Sequence, residues 1–264
     1  MIKRENLNAL FLDSEENSYF VPLRNSRFYL SKLTNALANP FKIVLIHGEP
    51  GLGKSFLLQQ FYNEHAENIP LFFYKTPTFT DAYALNTLYS YYYQKTPHNS
   101  LHKNAILDAI ESKTTTPNTI ILDEAQLYED ETLEWIRLLS NKSAFRFIIA
   151  VHKIAHEDLL AKAHFKTRLF EMIELKPLTY EEMIFYIEKK LHHGDMIALF
   201  TLFKRSNFKR IHKYTKGNLR LLNRFLHALI TLLYDEIDYT PKLFGSVIKN
   251  RYIDAVAYDL GIIK

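Results

Sequence analysis

The sequence predicts an α/β fold in which a doubly wound parallel sheet is followed by a C-terminal all-α domain. Three observations lead there. Short apolar, β-branched runs alternate with helical stretches between residues 41 and 175, the pattern of parallel strands with helices on both faces. A glycine-rich turn joins the first run directly to a helix, the usual place for a ligand at the carboxyl ends of such strands. From Lys176 onward every segment is helical by period. The chain therefore reads as an N-terminal segment (1–40), an αβα core (41–175) and a helical lid (176–264).

The N-terminal segment carries a helix near Arg27–Ala38, stopped by Asn39-Pro40. Strand Phe41–Ile46 then runs into Gly48-Glu49-Pro50-Gly51-Leu52-Gly53-Lys54-Ser55-Phe56, and a helix from Lys54 continues to Glu67. The spacing Gly-x4-Gly-Lys-Ser, set between a strand and a helix, is that of a phosphate-binding P-loop. Glycines let several backbone N–H groups curl toward one polyphosphate, and the helix N-terminus adds unpaired donors and a positive dipole end. Lys54 supplies the phosphate charge and the Ser55 hydroxyl a ligand for Mg²⁺. The chain has only seven glycines and three fall here, so a chance turn is a poor account. The candidate nucleotide-binding residues are Gly48 through Phe56.

Leu71–Lys75 is a second strand. Thr80–Ser112 is helical in two pieces, broken at Thr96-Pro97-His98-Asn99. The tyrosines of Tyr89–Tyr93 read as an aromatic helix face packed on the sheet rather than a stacking surface for nucleic acid. After the polar stop at 114–118, the run Thr119-Ile120-Ile121-Leu122 ends abruptly in Asp123-Glu124. Adjacent acids at a buried strand tip need a cation or water to compensate them. Following a P-loop, they take the Walker B position: Asp123 in the Mg²⁺ shell with Ser55, Glu124 polarising the attacking water. Helix Glu129–Ser140 and the buried strand Phe145–Val151 follow. Thr179-Tyr180-Glu181-Glu182 is a capping box opening the lid, whose helices fall at 179–193, 195–203, 206–214, 218–235 and 242–259, with Pro177 as the hinge.

Composition narrows the setting. Hydrophobic residues are 47% of 264, enough for a core. The absence of cysteine excludes disulfides and thiol chemistry. No apolar run nears the ~20 residues of a membrane span, and Met1–Asn6 is not followed by a signal-peptide core. These features point to a soluble cytoplasmic protein, and a net charge of +4 identifies no partner.

The residues so far resemble the AAA+ ATPases. Asp123-Glu124-Ala125-Gln126 with Leu133-Glu134-Trp135-Ile136-Arg137-Leu138-Leu139-Ser140-Asn141 is similar to the "DEAQ…LExxRLLSN" pattern of the type II secretion A-component and pilus-biogenesis ATPases. Lys176–Glu182 resembles that branch's "PLSxEE", and Thr215–Asn223 its "SxGxPRxIN". The resemblance spans about residues 40–235. It implies an AAA+ P-loop fold with Mg·ATP as cofactor. It also implies Arg220 as the sensor 2 arginine, Arg168 as an arginine finger for a neighbouring subunit, and His152 at the sensor 1 position. There the chain departs, with Val151-His152-Lys153-Ile154-Ala155 where the branch has "GQPEL". A finger acting in trans implies a homo-oligomer, ring or filament, with shared sites. Many A-components continue into a membrane span and a further module. This chain ends after the lid, like the short soluble pilus relatives.

The expected function is an ATPase that drives assembly or remodelling of an envelope machine (type II secretion, type IV pilus or DNA uptake), working in the cytoplasm or peripherally at the inner membrane. Two alternatives stand beside it: a DNA-associated helper ATPase of the transposition type, and a slow nucleotide-gated adaptor. Lys204–Arg224 contains eight basic residues and no acid. Such a run suits the phosphates of DNA or an anionic membrane surface, and equally a solvated helix face.

Overall fold

A computed structural model of the chain describes residues 4–12, 19–98, 101–152, 167–239 and 247–263. The chain divides into two compact units: Tyr29–Pro50 with Lys54–Leu175, and Met1–Phe28 with Gly51–Gly53 and Lys176–Lys264. The expected N-terminal segment 1–40 is thus shared between them.

The first unit is a five-stranded, wholly parallel sheet. Its strands are β1 (Ile43–Gly48), β2 (Leu71–Tyr74), β3 (Asn118–Leu122), β4 (Phe145–His152) and β5 (Leu169–Glu174), in the order β2-β3-β4-β1-β5. The three central strands are buried on both faces, which is why they read as unbroken apolar runs. Strand β5 was not expected: it lies at an edge, and Glu171 and Glu174 interrupt its apolar residues. Side chains of one sheet face, including Leu45, Leu122, Phe147 and Ile149, pack with α4 (Asp81–Tyr93), α5 (Lys103–Lys113) and α6 (Asp130–Leu139). The opposite face is covered by α2 (Arg24–Leu37, whose residues from Tyr29 on lie in this unit) and α3 (Lys54–His65), through Leu33, Ala36, Leu57, Leu58 and Phe61. The tyrosine cluster packs as expected. Tyr89 stacks on Tyr93 at 4.4 Å, and the Tyr92 hydroxyl donates to Asn118 Oδ1 (2.8 Å).

Arg146 lies on that second face of β4 and is buried, with burial pulling its pKa down from the usual arginine range. Its guanidinium donates to Thr119 Oγ1 (2.6 Å) and to Leu37 O (3.0 Å), the last carbonyl of α2, and lies 5.1 Å from the Phe41 ring centroid. It thereby joins a helix C-terminus, where a cation is favoured, to two central strands.

The second unit is all-α: α1 (Arg4–Phe11), α7 (Tyr180–His193), α8 (Ile197–Phe200), α9 (Arg205–Thr215), α10 (Leu219–Tyr239) and α11 (Asn250–Asp259). The last helix begins later than expected. Residues 240–246, which include part of the expected 242–259 helix, lie outside the described residues. Helix α1, not expected from the sequence, places Leu7, Leu10 and Phe11 in a core with Met183, Ile187, Phe225 and Ile253. The capping box forms as read: Thr179 Oγ1 accepts from Glu182 N, and Glu182 Oε2 from Thr179 N, both at 3.2 Å. The same Glu182 carboxylate accepts two bonds from Asn25 (3.0 and 3.1 Å). Gly217 has φ +72°, and a Cβ there would meet Leu178 O at 2.3 Å. Only glycine lets the chain pass so close to this backbone.

Arg146→Leu tests the core unit. It preserves bulk but leaves Thr119 Oγ1 and Leu37 O without their donor, a cost of about 1–3 kcal/mol. Thermal melting is expected to fall by roughly 2–4 °C for each kcal/mol lost.

Candidate functional site

Three adjacent strands end at one edge of the sheet, and each delivers part of the predicted site. β1 ends at Gly48 and runs into the P-loop, β3 into Asp123-Glu124, and β4 ends at His152, directly paired with Gly48. Because the order is β3-β4-β1, groups distant in sequence become neighbours.

Lys54 is buried at 6% exposure. Its ammonium donates to Gly48 O (2.8 Å) and Glu49 O (3.1 Å), so the loop's own carbonyls hold the charge at the loop. Gly51 and Gly53 have φ of +82° and +89°, the left-handed conformations that curl such a loop. Asp123 is 2% exposed. Burial raises its carboxyl above the usual carboxylate range, opposed by a hydrogen bond from the Ser55 side chain, one from the Glu124 backbone and the positive charge of Lys54. The Glu124 N–H reaches Asp123 Oδ1 at 2.9 Å.

The two predicted Mg²⁺ ligands thus face one site, the Ser55 side chain being near enough to oppose the upward shift of the Asp123 carboxyl. A hydroxyl and a buried carboxylate form a hard oxygen pair that fits Mg²⁺, which is held by one or two protein oxygens together with phosphates and water. Among the described residues no group of three or more His, Asp or Glu side chains forms an all-protein cage.

Glu124 follows in the left-handed conformation (φ +50°) and begins the 3₁₀ turn Ala125–Leu127. Its Oε2 lies 3.0 Å from His152 Nε2 and accepts a bond from Gln126 Nε2. The structure therefore brings His152 to Glu124, and it adds Gln126, to which the sequence reading gave no role. The sequence marks Gln126 as part of the Asp-Glu-Ala-Gln pattern, but only the turn that folds its amide back gives it a partner.

Arg168 is placed differently. It lies just before β5, whose Leu169 pairs with Ile43 at the start of β1, and its Nε donates to Asn141 Oδ1 (2.9 Å). The P-loop begins at the other end of β1, a strand length of roughly 15–20 Å away. Arg168 is not at the phosphate site of its own chain. Arg220 belongs to the helical unit, on the first turn of α10 and exposed. In that unit, which by contact includes Gly51–Gly53, the Arg220 N–H donates to Gly51 O (3.0 Å).

Of the basic run, Arg210 is paired with Asp254, which also accepts from the Tyr214 hydroxyl (2.7 Å). Arg205, Lys209, Lys213 and Lys216 are all exposed. Arg205, Lys209 and Lys213, spaced by four residues, line one side of α9 at intervals of about 6 Å, and Lys216 follows as its left-handed C-cap. Among the described residues no helix is long and apolar enough to cross a membrane.

Residues 40–160 match the protein family described as "AAA domain", a span that holds the P-loop, Asp123-Glu124 and His152. Several solved structures share the fold. The Cdc6p protein of Pyrobaculum aerophilum matches with a TM-score of 0.63 at 13% identity over 87% of this chain. The chain spans 66% of that protein's length. The ORC1 protein of Aeropyrum pernix, solved in complex with DNA, matches at 0.62 and 11% identity over 96% of this chain and 69% of its own. A Walker-type ATPase of Pyrococcus abyssi matches at 0.57 and 13% identity, covering 92% of this chain and 89% of its own. No curated protein matches. The expected fold is the observed one, an AAA+ P-loop fold, whereas the resemblance to secretion and pilus ATPases has no support among these matches.

The site's roles separate by substitution. Lys54→Ala is expected to abolish binding of a labelled ATP analogue while leaving the fold intact. Ser55→Ala and Asp123→Asn should weaken only the Mg²⁺-dependent part of binding. Glu124→Gln should bind Mg·ATP normally and lose turnover by ~10²-fold or more. Equilibrium binding with and without Mg²⁺, followed by phosphate release, reads all four.

Proposed function

We propose that this chain binds and hydrolyses Mg·ATP as a DNA-associated AAA+ ATPase. The observation that carries the ATPase part is the buried Lys54 ammonium, held by the Gly48 and Glu49 carbonyls, at the same sheet edge as the buried Asp123 carboxylate. Mg·ATP supplies the transferable phosphoryl group and the cation that offsets its charge. Lys54 and the P-loop backbone hold the phosphates, Ser55 and Asp123 orient the cation, and Glu124 takes the proton of the attacking water.

The basic stripe of α9 supports the DNA part, together with the fold shared with an ORC1 protein solved on DNA. Exposed lysines and an arginine on one helix side bind phosphates by counterion release and without sequence preference. This reading replaces the envelope machine as the chain's working partner. The shared-site oligomer remains part of it: Arg168 lies far from its own P-loop, and the resemblance assigns it to a neighbour's γ-phosphate. A head-to-tail contact of that kind builds a ring or a filament.

Two experiments test the reading. Duplex DNA is expected to bind and to raise ATP turnover. Lys209→Glu with Lys213→Glu should reduce the slope of log affinity against log salt by about two, with DNA-free turnover unchanged. Binding to anionic vesicles with none to DNA would make the stripe a membrane surface instead. In the second experiment, Arg168→Ala and Glu124→Gln are each inactive alone, the former by on the order of 10³-fold. Their mixture should regain activity, since some interfaces then hold both working halves. A mixture that stays inactive while both variants oligomerise removes Arg168 from the site.

A further inference from the structure

Strand β4 outlasts its neighbour on one side. Its pairing with β3 stops at Leu122↔Ile149, while its pairing with β1 continues to Gly48↔His152. At the end of β4 the His152 backbone N–H is met not by a strand but by the side chain of Gln126, whose Oε1 accepts it at 3.3 Å. The other end of the same amide, Nε2, donates to Glu124 Oε2. Gln126 can do this because Glu124 is left-handed (φ +50°) and the next three residues form a tight 3₁₀ turn, which folds the side chain back over the carboxylate. A left-handed non-glycine residue costs of order 1–3 kcal/mol and persists only where its surroundings hold it.

Both contacts on Glu124 fall on the same oxygen. Gln126 Nε2 and His152 Nε2 meet Oε2, and among the described residues Oε1 accepts no hydrogen bond. A carboxylate held by one oxygen keeps the other for a water molecule, with its direction set by the clamp.

We propose that Gln126 is a positioning residue for hydrolysis: its amide ties the end of β4 to Glu124 Oε2 and thereby aims Oε1 at the attacking water. The inference rests on the ATPase reading above. Gln126 touches neither nucleotide nor cation in this scheme and acts wholly through Glu124. Its removal therefore affects the chemical step and not binding. A misaimed base costs up to about 10²-fold, and losing one hydrogen bond to a charged group corresponds to roughly ten- to a hundredfold.

The test uses the full chain, comparing wild type, Gln126→Met, Glu124→Gln and the double variant. Gln126→Met keeps the length of the side chain and removes both bonds. Its kcat is expected to fall by about ten- to a hundredfold, with KM for ATP and the affinity for a non-hydrolysable ATP analogue within about twofold of wild type. In the Glu124→Gln background the same change should have no further effect on residual turnover, because a group acting only through Glu124 has nothing left to position. Gln126→Asn keeps the amide on a shorter arm. It is expected to give an intermediate kcat, and it carries the test if Gln126→Met melts early.

Wild-type kcat in Gln126→Met, or an equal penalty with and without Glu124, overturns the proposal and leaves the ATPase reading standing. A wild-type protein that binds the analogue but never releases phosphate overturns both. Full activity in Glu124→Gln shows that Glu124 is not the base, and Gln126 then has no role through it.

Discussion

Two opposite charges taken almost wholly out of water, the Lys54 ammonium and the Asp123 carboxylate, are the constraint on which the rest of the core depends. Each buried ion costs several kcal/mol unless polar groups replace its hydration. Here the replacements are local and numerous. Two loop carbonyls hold the ammonium, while the Glu124 N–H holds the carboxylate. The carboxyl nonetheless stays above its ordinary range because burial outweighs these bonds. A fold selected for stability alone would place apolar side chains here. This one retains a pair of charges whose natural complements are a polyphosphate and a divalent cation.

The sheet makes this arrangement possible. Parallel strands all end at the same edge, so each strand–helix junction delivers its loop to one line. The order β3-β4-β1 sets the acids, His152 and the P-loop side by side. Strands β1 and β4 pair with each other as far as Gly48 and His152, whereas the β3–β4 pairing stops at Leu122↔Ile149 and the chain goes on into a 3₁₀ turn. Glu124 and Gln126 sit in that less regular segment, where side-chain bonds rather than a strand ladder set the geometry.

The helical unit follows a different logic. Its interior is an apolar core completed by the N-terminal helix, which contributes Leu7, Leu10 and Phe11. Buried Lys190 donates to Leu10 O (3.2 Å) and so ties α7 to α1. Polar contacts handle the entrances to helices: Glu182 serves both the cap of α7 and Asn25. On α9, Asn207, Phe208, Ile211 and Thr215 are buried, while the basic stripe faces outward.

Local chemistry alone determined much of this protein. The P-loop, the acids closing β3, the central strands, the α7 capping box and the all-α character after Lys176 each follow from residues adjacent in the chain. In each case the physical demand is itself local: a curl of glycines, a buried apolar run, an orphan helix end. What only the tertiary structure decided has the opposite property. Strand β5 is an edge strand with acids in its pattern, and it becomes a strand by pairing with β1. Helix α1 is short and gains its place from a core formed by residues nearly two hundred positions away. Arg146 reads as a charge interrupting an apolar strand until Leu37 O, Thr119 and Phe41 surround it. Gln126 enters the sequence reading as part of a motif but without a role. It becomes part of the site because strand order brings His152 alongside, and because a left-handed Glu124 turns the chain back on itself.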